Sequence, residues 1–208
     1  MIKRCTLLFI LFGLLISPSC SLIEDVVGNG QNNWPVEDIL MITPFVNSAD
    51  ISSINEAYST HSNCPWGFEH RAIDFMISHD YIPFRAVCNG VITGIDKFLN
   101  TGNGFWQVNV HIKYNETFTV NYAFEPFSSS ESDGNIQLNN IQVSEGDHVL
   151  QGDIIGYLGY VNAGAHVDFH LSQHGESICP ENYFTPSAVQ EIYAILHQTF
   201  PNANMCYE

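Results

Sequence analysis

The chain has 208 residues with 22 acidic and six basic side chains, and its formal net charge at pH 7 is −16. An electrostatic field of this sign repels nucleic acids and anionic lipid surfaces, so the composition excludes a nucleic-acid partner. The length that remains after an N-terminal export signal suits one domain.

Residues 1–20 have the pattern of a secretory signal peptide. Lys3 and Arg4 precede an apolar run at residues 7–16, which is too short to span a bilayer as a helix. The small residues before Cys20 leave two outcomes open, lipidation of Cys20 as in a lipoprotein or simple cleavage and secretion. Both outcomes predict an exported protein of the cell envelope, either membrane-anchored or secreted.

The rest of the chain divides into two parts of different character. Residues 21–60 are interpreted as a tether and lead-in segment with little regular structure, and residues 61–208 as the folded domain. Short apolar segments that alternate with turn residues predict strands at residues 81–87, 91–95, 106–114, 118–124 and 165–171. Residues 127–140 are rich in Ser, Asp and Asn, and they are predicted to form a flexible surface loop.

A change of period near the C-terminus predicts one helix. Thr185 and Pro186 have the character of an N-cap followed by proline at the first helical position, and the apolar stripe ends before Pro201. The predicted fold is therefore all-β, with an antiparallel two-layer sheet or sandwich core and a C-terminal helix.

Four cysteines follow Cys20, namely Cys64, Cys88, Cys179 and Cys206. An even number in an exported chain predicts two disulfides, and the sequence does not choose among the possible pairings. A cysteine-rich zinc site is a weaker interpretation, because no two of these cysteines have the close spacing of such sites.

Two groups of polar residues have the chemistry of metal ligands. His70 and Asp74 stand four residues apart, which is a weak signal alone because surface ion pairs share this spacing. His166, Asp168 and His170 alternate with apolar residues on a predicted strand, so all three project from one face. A solvated polar edge is one interpretation of this face. A zinc site is the other if the fold brings the two groups together.

The order and separation of these residues resemble the lysostaphin/LytM-like zinc metallopeptidases, a family of peptidoglycan endopeptidases with the duplicated hybrid motif. The chain resembles a divergent member. The similarity comprises Gly67, the His-x-x-x-Asp step at His70, the strand pair at residues 84–92, the Gly-Asp segment at residues 143–159 and the strand at residues 166–170.

The resemblance implies roles for individual positions. His70 and Asp74 correspond to family zinc ligands, and Asp168 stands where the family has a third ligand, a His. His166 corresponds to the His that acts as general base. His170 replaces a Glu, and it is interpreted as an extra ligand or as a partner that holds Asp168.

A further family His maps to Phe124, which can neither donate a hydrogen bond nor move a proton. Glu125, the next residue, is expected to face the other side of the strand.

The resemblance implies a zinc cofactor and peptidoglycan peptides as the substrate, and the altered ligand set leaves two interpretations of the function open. One is a zinc metalloendopeptidase, and the other is a non-hydrolytic module that binds cell wall or regulates a partner hydrolase. An unrelated hybrid-motif barrel is disfavoured by the His-x-x-x-Asp match.

Overall fold

The computed structural model describes Pro35, residues 38–159, Val161 and residues 164–208. The predicted signal peptide, Cys20 and the tether that follows lie outside the described residues. Residues Trp34–Glu208 belong to one structural unit. Among the described residues, no helix has both the length and the apolar character needed to cross a membrane.

Antiparallel strands dominate the described part of the chain, and a helix near the C-terminus follows them. The strands are β1 (Ile51–Ile54), β2 (Tyr58–Ser59), β3 (Ile73–Ile77), β4 (Ile82–Arg85), β5 (Gly90–Asn100), β6 (Phe105–Lys113), β7 (Phe118–Pro126), β8 (His148–Val149), β9 (Ile154–Leu158), β10 (Ala165–Gln173), β11 (Glu176–Ile178) and β12 (Cys206–Tyr207). The α-helices are α1 (Glu131–Asn139) and α2 (Pro186–Thr199), and short 3-10 helices occupy Ser48–Asp50 and Glu181–Tyr183. The predicted all-β class and C-terminal helix are confirmed.

The large sheet has eight strands in the order β1-β3-β10-β7-β6-β5-β8, and β11 pairs with the end of β10. The antiparallel pair β4–β9 packs on this sheet, because the Phe84 ring of β4 meets the Phe124 ring of β7 edge-on with centroids 5.8 Å apart. A third pairing, β2 with β12, is parallel. The sheet therefore has one face that is covered by a second layer, as the sequence predicted.

Alternation along β10 separates the covered face from the polar face. Val167, Phe169 and Leu171 are fully buried, whereas His166, Asp168 and His170 are partly exposed. Full burial of an apolar side chain of this size contributes about 1.5–3 kcal/mol. A shift of the strand by one residue would move all of these apolar groups to the polar face, so packing fixes the register.

The lead-in segment contributes to this core. Ile39, Met41, Phe45 and Ile54 are almost completely buried. Strand β1 pairs antiparallel with β3 at the edge of the large sheet. The expectation of little regular structure here is therefore wrong from residue 51 onward, since the short apolar pieces pack into the common core.

The predicted loop at residues 127–140 is also wrong, because Glu131–Asn139 form helix α1. Gln137 lies at its buried side and is only 1% exposed. The Gln137 carboxamide donates to Tyr157 O at 2.9 Å and accepts from Gly159 N at 3.0 Å. These tertiary contacts stabilise a helix in a segment whose composition favours turns.

Helix α2 follows its predicted boundary signals. The Thr185 hydroxyl accepts a hydrogen bond from Ala188 N at 3.2 Å, and Pro186 occupies the first turn. Ile192 and Leu196 are fully buried on one face of the helix. The sequence therefore predicted both the start of the helix and its buried stripe.

One of the two predicted disulfides is present. Cys179, just after β11, is bonded to Cys206 of β12. Cys64 and Cys88 are free thiols, and Cys88 is only 2% exposed. Burial raises the pKa of the Cys88 thiol to about 12. The prediction of a second disulfide is therefore wrong. An even number of cysteines does not ensure that the fold brings their Cβ atoms within bonding distance.

Candidate metal centre

Strand pairing brings the two predicted ligand groups together. The antiparallel register places Asp168 of β10 directly opposite Asp74 of β3. Directly paired residues project from the same face with Cβ atoms about 4.5–5.5 Å apart. His70 lies just before β3 and is held by two backbone hydrogen bonds with Ser59, of 2.6 and 3.1 Å. Three side chains from two chain segments, β3 with the residues just before it and β10, therefore meet on the polar face.

The distances within this cluster suit one metal ion. His70 Nε2 lies 3.5 Å from Asp74 Oδ1 and 3.6 Å from Asp168 Oδ2. One ligand atom from each of the three residues lies within 4.8 Å of the other two. Ligands at about 2.0–2.2 Å from a tetrahedral zinc ion are about 3.4 Å from one another. His70, Asp74 and Asp168 could therefore share a cation with little rearrangement.

Two unpaired buried polar atoms also favour a cation at this site. His70 Nδ1 and Asp74 Oδ1 are buried without a hydrogen-bond partner among the described residues. Asp74 is 5% exposed. Its burial, together with the nearby carboxylate of Asp168 and with Glu56, raises the pKa of Asp74 well above its usual range. A buried carboxylate in an acidic environment is costly unless a cation compensates it, so the donor set fits a metal ion.

The pKa of Asp168, the other carboxylate of the cluster, is shifted in the opposite direction. Burial alone would raise the pKa of Asp168, but the imidazoles of His170 and His70 outweigh this effect and lower it. At His70, burial alone would lower the pKa, but the nearby carboxylate of Asp168 outweighs burial and raises the pKa. Asp168 is therefore held as an anion by two imidazoles, whereas burial and the neighbouring carboxylates dominate at Asp74.

His170 lies on the outer side of this arrangement. Its Nδ1 is 3.5 Å from Asp168 Oδ1, while Asp168 Oδ2 faces His70. The compact group of ligand atoms consists of His70, Asp74 and Asp168 and does not include His170. The geometry thus gives His170 the position of a residue that holds Asp168.

His166 lies beside the cluster and between two carboxylates. Its Nδ1 is 3.8 Å from Asp74 Oδ2, and its Nε2 is 3.5 Å from Glu125 Oε2. The ring of Phe127 packs edge-on against the His166 ring with centroids 5.0 Å apart. His166 is therefore fixed in orientation and shares Asp74 with the ligand group.

The expected positions of Phe124 and Glu125 are corrected by the register of β7. Glu125 pairs directly with His166, and Phe124 pairs with Val167 of the covered face. Phe124 is fully buried, and Glu125, which is 6% exposed, accepts a hydrogen bond from Asn103 Nδ2 at 3.4 Å. Glu125 reaches the site on a regular strand without a bulge, because it has the same phase as the polar residues of β10.

Glu56 is a neighbour of the site that the sequence analysis did not identify. Its backbone carbonyl accepts a hydrogen bond from Asp74 N at 2.9 Å, and its carboxyl contributes to the raised pKa of Asp74. It belongs to the lead-in segment and carries no motif, so only the pairing of β1 with β3 places it here. Cys179, Glu181 and Cys206 form a second group of potential ligands, but both cysteines are consumed by the disulfide.

Comparison with known proteins found matches among solved structures. No protein family model matches the chain, and no curated protein matches it. Among solved structures, a zinc-containing peptidase from Vibrio cholerae is 16% identical with a TM-score of 0.48, covering 68% of this chain and 39% of that one. Csd3 from Helicobacter pylori is 20% identical with a TM-score of 0.49, and the match covers 78% and 40% of the two chains. Lysostaphin is 18% identical with a TM-score of 0.40, with 78% and 60% covered.

The fold resembles that of lysostaphin/LytM-like peptidases. The resemblance that the sequence motifs predicted is therefore confirmed as a resemblance of fold. The chain spans less than two thirds of the length of each of these structures. Identities and TM-scores in this range carry no argument about activity, so a functional conclusion depends on the side chains of the site.

Proposed function

We propose that the chain is a zinc metalloendopeptidase that acts on peptidoglycan peptides. The proposal rests on one observation above all, the convergence of His70, Asp74 and Asp168 with ligand atoms within 4.8 Å of one another. The buried Asp74 Oδ1 in this group has no hydrogen-bond partner among the described residues. A divalent cation would satisfy that oxygen and offset the repulsion between the two carboxylates.

Each residue of the site would have its own role in metal-dependent hydrolysis. His70, Asp74 and Asp168 would hold the zinc ion, and His170 would fix Asp168 from the outer side. When bound, zinc supplies Lewis acidity toward the scissile carbonyl. His166 would act as general base and return the proton to the leaving amine.

Glu125 gives His166 a second carboxylate partner that the family motif does not provide. Its Oε2 lies 3.5 Å from His166 Nε2, while Asp74 Oδ2 lies 3.8 Å from His166 Nδ1. The two carboxylates stand at opposite nitrogens of the His166 ring and can hold its orientation. Glu125 therefore supports the position of the residue that would transfer the proton, a contribution that Phe124 cannot make.

An exported protein of the cell envelope would meet peptidoglycan directly. The signal-peptide pattern of residues 1–20 supports export, and the Cys179–Cys206 disulfide fits an oxidising compartment. A lipid on Cys20 would keep the protein at the membrane, and cleavage without lipidation would release it.

A non-hydrolytic module that binds cell wall or regulates a partner hydrolase is the second candidate. It is favoured by the ligand set, in which two carboxylates accompany a single imidazole. A second anionic ligand reduces the effective charge of the metal, and this weakens its Lewis acidity. The two candidates share the fold and differ in turnover, and the second does not require the metal.

Metal content and peptidoglycan digestion, measured on the same protein samples, test the proposal. The native protein is expected to retain about one zinc per chain, and His70→Ala is expected to lose it. His148→Ala is a matched control, because His148 is exposed and lies outside the cluster. Zinc with release of new amino termini from peptidoglycan supports the peptidase. Zinc without turnover supports the binding module, and a folded protein that takes up no zinc refutes the peptidase and leaves the binding module.

A further inference from the structure

On the polar face of the large sheet, the short side chain of Ala123 is bordered by longer polar side chains, and we call this position the Ala123 depression. Ala123 of β7 lies directly between Asp168 of β10 and Asn109 of β6 in the strand register. Directly paired residues share a face, so these three side chains form one row. Asn121 and Glu125 flank Ala123 along β7, two residues to either side. The methyl group of Ala123, which is 7% exposed, therefore lies among longer polar side chains next to the candidate metal centre.

A chain of carboxamide hydrogen bonds ends at Asn109, which pairs directly with Ala123. Asn100 Nδ2 donates to Gln107 Oε1 at 2.9 Å, and Gln107 Nε2 donates to Asn109 Oδ1 at 3.0 Å. The side-chain oxygens of Gln107 and Asn109 therefore each accept a hydrogen bond from the preceding member of the chain. The Asn109 Nδ2 group at its end has no acceptor among the described residues, and it is therefore available to an acceptor on a ligand.

A second carboxamide stands at the same depression. The Asn121 side-chain oxygen accepts from Nδ1 of His111 on β6, which leaves Asn121 Nδ2 without an acceptor in the described part of the chain. Asn121 pairs directly with His170 of β10 and is 7% exposed. Two donors, one from Asn109 and one from Asn121, thus border the Ala123 floor.

The charges around the depression select against anions. Asp168 and Glu125 border it on the side of the metal centre, and the exposed Asp96 of β5 pairs with Asn109 on the far side. No Lys or Arg takes part in the hydrogen bonds or ion pairs described for these four residues. Neutral carbonyl oxygens are the acceptors that match exposed amide donors in such a field.

We propose that this Asn109–Ala123–Asn121 depression is a substrate subsite that binds main-chain carbonyls of an uncharged, extended peptide. The inference rests on the proposed function, because it places the peptide across the strands beside the metal centre. The distance from β3 to β6 is three strand spacings of about 4.8 Å, or about 14 Å. An extended peptide covers this length with about four residues. The subsite thus selects a peptide segment without acidic side chains on one side of the scissile bond.

Side-chain amide NMR tests the subsite directly on the exported protein labelled with nitrogen-15. N-acetyl-tetraalanine amide is the neutral probe, and N-acetyl-tetraglutamate amide is the anionic comparison. The Asn109 and Asn121 side-chain signals are expected to shift saturably with the neutral probe and to remain unchanged with the anionic one. The proposal is overturned if the neutral probe does not bind, or if the shifts are confined to the signals of other asparagines.

Two variants, each with a matched control, test the contribution of the Asn109 donor and that of the short Ala123 side chain separately. Asn109→Leu removes the donor at similar volume, and a lost hydrogen bond predicts about a fivefold increase in Kd for tetraalanine amide. Asn139→Leu, at an exposed position of α1, is its control and leaves Kd unchanged. Ala123→Leu fills the depression and is expected to raise Kd by at least about tenfold, whereas Ala123→Ser leaves room for the peptide. Equal Kd values in all four variants would show that the peptide binds elsewhere.

Metal content distinguishes failure of the subsite from failure of the proposed function. Asn109→Leu is expected to retain zinc as the native protein does, because Asn109 is not among the ligand atoms. Probe binding that depends on Asn109 in a protein without turnover supports the subsite and refutes the peptidase. Turnover that is insensitive to Asn109→Leu and Ala123→Leu supports the peptidase and refutes the subsite.

Discussion

Zinc should stabilise the folded protein through the His70 cluster, and removal of His70 should abolish that stabilisation. A ligand that binds only the folded state stabilises it by about 2.7 kcal/mol at a free concentration of one hundred times Kd. The folded unit runs from Trp34 to Glu208. About 175 residues at ~2.1 cal/mol/K per residue give an unfolding entropy of about 0.37 kcal/mol/K. The expected rise in Tm is therefore about 7 °C.

The assay is differential scanning calorimetry of the chelator-treated protein with and without zinc. His70→Ala is expected to show a rise below about 1 °C, because a cluster of two carboxylates remains after loss of the only imidazole in the ligand group. His148→Ala, at an exposed site outside the cluster, should retain the full rise. An equal rise in His70→Ala and the native protein would refute the assignment of zinc to this cluster. Absence of any rise in the native protein would refute it as well.

Three further predictions concern the supporting structure. Tyr122→Phe should lower the free energy of unfolding by about 2–4 kcal/mol, seen as a lower urea midpoint at constant m, because the buried hydroxyl accepts from Val87 N at 2.9 Å; an unchanged midpoint would contradict this role. Cys179→Ser opens the 27-residue link to Cys206 and should destabilise the protein by about 3.5 kcal/mol in the loop-entropy estimate, measured by the same unfolding curve. Burial raises the pKa of Cys88 to about 12, so its thiol stays protonated at pH 8 and iodoacetamide should label it only after unfolding. Peptide mapping that finds Cys88 labelled in the native protein would disagree with its burial.

The correction at β7 shows how far alternation alone can be taken. Val120, Tyr122 and Phe124 alternate with polar or small residues in the sequence, so the two faces of the strand were readable. The phase of those faces relative to the site was not readable, because it depends on which residue of β10 pairs with Glu125. A difference of one residue reverses the face, and this explains the mistaken assignment of Glu125.

Helix α1 illustrates a different limit. Its composition favours turns, and the helix exists because Gln137 bonds to Tyr157 and Gly159, more than 15 residues away in the sequence. The cysteines show the same dependence on distant partners, since parity predicted two disulfides and the fold brings only Cys179 and Cys206 into contact. Contacts of this kind depend on the packing of separate segments, and local sequence does not encode them.

The sequence by itself determined the β character, the C-terminal helix and the shared face of His166, Asp168 and His170, because each follows from local periodicity. It also identified His70 and Asp74 as their partners through the order of motifs. Only the tertiary structure decided that β3 and β10 pair with Asp74 opposite Asp168 and that Glu125 stands beside His166. These arrangements depend on strand register, which the burial of side chains on the covered face fixes across the whole sheet.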